Sequence, residues 1–216
     1  MANRAGRTEE TVWGRAANNA SIASFATADR TAIDSLSSNI AAEEKTAGGI
    51  GSLILAVSAA GLSPTAFAGH NLLQDLVCTY DATTGAFNDQ LYNDALAVLS
   101  IPAVKAPTRS IAYLASHQQA DGGWEFSAGS GSDTNTTALV LMALRSGGTL
   151  TDTVKAKALL YLKGQQRVDT GGFQYQTGAF TTDSDPDSDG LVIEALLAAG
   201  EDPVGTAWSI KQRNGL

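Results

Sequence analysis

The densest group of side chains able to do chemistry is the run Thr182-Asp183-Ser184-Asp185-Pro186-Asp187-Ser188-Asp189-Gly190. Alternating carboxylates can share protons as a general acid, chelate a hard cation, or accept hydrogen bonds from the free amides of a helix N-terminus. Each task needs its own spacing. An Asp-x-Asp-Asp acid needs adjacent carboxylates, and Pro186 stands where one of them would be. A calcium-binding EF-hand loop needs a Glu at its twelfth position; Glu194 is the nearest candidate, and the glycine spacing before it is wrong. Capping of a following helix is therefore the first reading of Asp183, Asp185, Asp187 and Asp189. Calcium at Asp183–Asp189 and direct ligand contact are the alternatives, and no cofactor is expected. Cys78 is the only cysteine, which excludes an intramolecular disulfide and a multi-cysteine zinc site. It reads as a small apolar residue of a helix. His70 and His117 have no partner at metal-ligand spacing.

The elements that would position these residues show up as a repeat. Thr84-Gly85-Ala86-Phe87, Asp121-Gly122-Gly123-Trp124 and Thr170-Gly171-Gly172-Phe173 are three versions of one turn. Before each lies an amphipathic segment: Leu72 to Tyr80, Ile111 to Gln118 and Val154 to Gln165. In the first, Leu72, Leu73, Leu76, Val77 and Tyr80 fall on one helical face. After each turn comes a polar loop, then a largely apolar segment: Asn93 to Leu99, Asn135 to Leu144 and Asp187 to Leu196. Leu53 to Val57 is an earlier run without the turn. Such runs also suit buried parallel strands, which would make the protein α/β. Asp, Asn and Thr at cap positions, the Ala, Met and Leu content, and the trailing glycines favour helix. A helix apolar on every side belongs in an inner layer, and the amphipathic helices belong outside it.

The 216 residues include 44% hydrophobic and 17% charged side chains, with a net charge of −8. That composition suits a globular core. An acidic surface without a basic stripe excludes nucleic acid as a partner. The longest apolar runs, about seven residues, are too short to span a bilayer. Met1–Thr11 is polar and carries no signal peptide. Residues 1–28 read as an N-terminal appendage with a short helix around Glu9–Ala17, and residues 29–216 as the repeat domain.

Tyr113-Leu-Ala-Ser-His117-Gln118-Gln119-Ala-Asp121-Gly122-Gly123-Trp124 resembles the QW repeat of squalene and terpenoid cyclases. Tyr161 to Phe173 repeats it, and Leu73 to Phe87 is a degenerate copy without the glutamine pair. The resemblance implies an all-α fold, an α/α toroid or partial toroid related to the protein prenyltransferases, in a bacterial, secreted or cell-surface setting. About four helix pairs can be counted, fewer than a complete ring, so the domain is expected to be truncated at its C-terminus or to close by homo-oligomerising. The resemblance also implies that Gln118, Gln165, Trp124 and Phe173, with Gly85, Phe87, Gly122 and Gly171, are structural parts of the repeat, tying each outer helix to the next inner one.

By the same analogy, Asn93, Asp94, Asp133, Asn135, Asp187 and Asp189 line one mouth of the ring as a ligand site, with Glu194 inside it. Catalytic motifs are incomplete. The zinc set of the prenyltransferases and a Cys-Gly-Glu-Gln thioester are both absent. Aromatics make up 6% of the chain, few for cradling a carbocation. The expectation is a non-catalytic repeat domain that binds a small molecule or a protein partner. The alternatives are a cyclase-like enzyme using Asp183, Asp185, Asp187 and Asp189 as its acid, and a self-associating structural module.

Overall fold

The computed structural model describes residues 34–38, 40, 46–87, 90–101, 106–178 and 183–210. The expected appendage 1–28, its short helix and the chain's last residues lie outside them. The described residues are mostly helical: α1 Ala47–Ala59, α2 Leu72–Cys78, α3 Leu91–Ser100, α4 Thr108–Ser116, α5 Thr134–Ser146, α6 Asp152–Gln165 and α7 Pro186–Ala198. The apolar runs are thus helices and not strands. A two-stranded antiparallel hairpin, β1 (Trp124–Glu125) and β2 (Ser132–Asp133), joins the second turn to α5 and has no counterpart in the sequence reading.

Local chemistry sets where the helices start and stop. Thr46, Asn71, Asp133, Thr151 and Asp185 are N-caps whose side-chain oxygens accept amides of the first turn. Three helices end the same way. Leu62 donates to the Val57 carbonyl, Thr149 to Leu144 and Glu201 to Leu196, each just past a glycine of positive φ (Gly61, Gly148, Gly200). This is the Schellman closure that the trailing glycines predict.

The odd-numbered helices form a row in which α1 packs on α3, α3 on α5 and α5 on α7. The even-numbered helices lie against it: α2 on α1, α4 on α3 and α5, α6 on α5. Burial follows this layering. From Ala138 to Leu144, only Met142 of α5 is not fully buried, whereas α4 and α6 each bury one stripe. The row is tight: a Cβ on Gly51 of α1 would sit 2.9 Å from the backbone carbon of Leu96 in α3. Leu36 and Ile40, ahead of α1, are buried in the same core.

Candidate functional site

The polar residues at the starts of α3, α5 and α7 turn out to be a repeated set of internal bonds. The Phe87 amide donates to Asp94 Oδ1 (2.7 Å), the Trp124 amide to Thr137 Oγ1 (2.9 Å) and the Phe173 amide to Asp189 Oδ1 (2.5 Å). Asp94, Thr137 and Asp189 each occupy the fourth position of their helix. The connecting loops differ widely, with sequence separations of 7, 13 and 16. One bond therefore fixes the turn on the inner helix whatever the loop length.

A second bond links successive repeats. The Leu91 amide, first in α3, donates to the Phe126 carbonyl, and the Thr134 amide, first in α5, donates to that of Tyr175. Each acceptor lies two residues past the aromatic of the next turn. α7 begins with Pro186, which has no amide to give.

Glutamine makes the third bond. Gln118 Nε2 donates to the Gly122 carbonyl (2.9 Å) and to that of Val154 in the first turn of α6 (3.0 Å). Gln166 does the same with Gly171 (2.8 Å) and Trp208 (2.7 Å). The third repeat thus uses Gln166, which stands five residues past Tyr161 as Gln118 stands five past Tyr113, and not the adjoining Gln165 that the resemblance assigned. Gln165 is buried, and its Oε1 accepts from Thr177 Oγ1 at 2.8 Å. The glutamine reaches the segment that follows in the outer layer, while the aromatic's amide reaches the inner helix. The first repeat has Tyr80 in place of the glutamine, and the link runs backwards: Arg109 Nη1 of α4 donates to the carbonyls of Ala82 and Thr83. Trp124 is fully buried, and its indole donates to the Leu114 carbonyl at 2.7 Å.

Of the other nominated residues, Asn135, Asn93 and Asp185 are also engaged. Asn135 Oδ1 accepts from Ser188 Oγ (2.7 Å), joining α5 to α7. Asn93 Nδ2 donates to Gln90 Oε1, and its side chain fills the space above Gly48 of α1. Asp185 caps α7, accepting from the Asp187 amide and Ser188 Oγ, while Asp183 and Asp187 are exposed. Among the described residues no three His, Cys, Asp or Glu side chains converge as a metal site. Glu194 lies on an exposed face of α7 with Ile193 and Leu197. Partial desolvation there raises its carboxyl above the ordinary value. Cys78 is exposed at the end of α2, not packed as a small apolar residue. No helix among the described residues is long and apolar enough to cross a membrane.

Asp133 caps α5 from a buried position. It is 2% exposed, its Oδ1 accepts the Thr136 amide at 2.8 Å, and Oδ2 has no partner among the described residues. Burial raises its carboxyl above the ordinary 3.8, outweighing the amide bonds that lower it. The folded state therefore holds this proton at a pH where the unfolded chain has lost it. Stability from this group is complete at acid pH and falls as pH rises through the raised value. Asp133→Asn, which keeps an amide acceptor, is expected to gain on the wild type as pH rises from 3 to 7, read by urea denaturation.

The clamps also separate exposed from engaged carboxylates. Asp94→Ala and Asp189→Ala each strand a turn amide and are expected to cost about 1–3 kcal/mol. Asp187→Ala, at an exposed site, should stay within roughly 0.5 kcal/mol of the wild type. Chemical denaturation of the three variants checks both. Comparison of the chain with protein-family models, with curated proteins and with solved structures gave no match.

Proposed function

We propose that the chain is a non-catalytic repeat module of the α/α-toroid type, resembling the squalene-cyclase and prenyltransferase repeat, and that it binds a small molecule or a protein partner. The observation that carries this reading is the amide clamp recurring at Phe87–Asp94, Trp124–Thr137 and Phe173–Asp189. It makes the first-turn polar residues of the inner helices part of the scaffold. The cyclase-like alternative needs the Asp run as a proton donor, and two of its members are acceptors: Asp185 in the α7 cap and Asp189 in the clamp.

The self-associating module has one observation behind it. Ile193 and Leu197 on α7, the last described helix of the row, are 45% and 59% exposed.

Native mass spectrometry of the purified chain tests the readings together. A monomer carrying a bound small molecule or a protein supports the binding module. A bare dimer that Leu197→Lys dissolves supports self-association instead. Conversion of an added isoprenoid to a cyclised product, lost in Asp189→Asn, would overturn the non-catalytic reading.

A further inference from the structure

The outer layer is bridged differently at each turn, and one gap stays open. At the second turn, Gln118 spans from α4 to the first turn of α6. At the first turn Tyr80 stands in its place, turned against Phe87 with ring centroids 5.1 Å apart. The space between α2 and the start of α4 is left as a groove of about 340 Å³. Its walls are Leu73, Val77, Tyr80, Phe87, Ile101 and Pro107. Thr65, Asn71 and Gln74 add polar atoms, and none of the described residues that line it is charged. The Gln74 amide nitrogen donates to Cys78 Sγ at 3.8 Å, and sulfur is a weak acceptor that a ligand oxygen can replace.

We propose that this groove is a binding site for a small uncharged molecule with a flat apolar body and one hydrogen-bonding end. Three observations select that class. The volume falls within the roughly 300–1,000 Å³ of small-molecule pockets. The two tilted aromatic rings offer faces and edges to a flat apolar body. The described walls offer no charge, so they would desolvate an ionic ligand without compensating it. The hollow at the third turn is a poorer candidate. It is smaller, about 260 Å³, and its polar side chains Gln166 and Asp189 are already bonded in the scaffold. The proposal rests on the binding-module reading but can fail separately, since a ligand or partner found by mass spectrometry could sit elsewhere.

The test is a fluorescence titration with N-phenyl-1-naphthylamine, which is uncharged, flat and carries one N–H. Val77 is 55% exposed on the groove wall, so Val77→Arg blocks the site without opening the core. Leu160→Arg, at a 73% exposed site on α6, is the control. The expected result is saturable binding that Val77→Arg weakens by about tenfold or more and Leu160→Arg leaves unchanged. In the wild type, amide chemical shifts should move at α2 and Phe87 upon binding, a readout that does not depend on any variant folding. No saturable signal, equal weakening by both variants, or shifts confined to other helices would overturn the proposal.

Discussion

Gly122→Ala is expected to destabilise the chain by about 3 kcal/mol or more, enough to remove much of a marginal folding free energy. Two costs add. Gly122 has φ +94°, where an L side chain is strained, and its Cβ would lie 2.4 Å from the Lys157 carbonyl oxygen of α6. That oxygen belongs to a helix backbone, so it cannot swing aside as a flexible side chain would. Gly85 and Gly171 share the positive φ, but Gly171 meets only the Ile210 side chain, at 3.6 Å. Gly171→Ala should therefore carry the strain cost alone. Gly164→Ala is the control, in the last turn of α6 with nothing within 4 Å of the new methyl. It should stabilise by about 0.5–1 kcal/mol. Urea midpoints of the three variants give this order; an unchanged midpoint for Gly122→Ala would mean that the turn does not seat on α6.

Trp124→Ala should cost about 3–5 kcal/mol. The ring is fully buried between the outer and inner layers and fills a volume no neighbour can reclaim. Its indole also holds the Leu114 carbonyl at the end of α4, and truncation strands that acceptor. Trp124→Phe separates the two contributions. It keeps most of the apolar volume, loses the donor, and matches the aromatic used at the equivalent positions Phe87 and Phe173. An intermediate loss of about 1–3 kcal/mol is expected. If Trp124→Phe costs as much as Trp124→Ala, the indole bond and not the volume holds the turn. Thermal unfolding by circular dichroism reads both variants.

Helical content, the order of inner and outer helices and the three turns are legible in the residues, because they rest on local periodicity and on caps such as Asp133 and Thr151. The role of the polar cap residues is not legible in the same way. Asp94 and Asp189 look like ligand groups in sequence, since an acid at a helix start can face solvent, a ligand or a backbone amide. What would have singled them out is their helix position: each, like Thr137, is fourth in its helix and follows a Gly-aromatic turn. The variable loops hide that register. Gln166 was legible by its spacing, five residues past Tyr161 as Gln118 is past Tyr113, but a second glutamine beside it, Gln165, drew the assignment. The groove beside Tyr80 arises from a missing glutamine bridge, and a substitution that removes a contact leaves no motif behind. Cys78 is exposed because it lies two residues past Leu76, off the face of α2 that Leu72 and Leu76 bury.

The most direct test of the account is amide hydrogen exchange, by NMR, at Phe87, Trp124 and Phe173. If each amide is held by the fourth side chain of its inner helix, all three should exchange only through large-scale opening, with protection close to that of the buried helices. Fast exchange at these amides, beside protected neighbours in α5, would contradict it. The residues at the helix starts would then be free for a ligand, and the catalytic and mouth-binding readings would regain their ground.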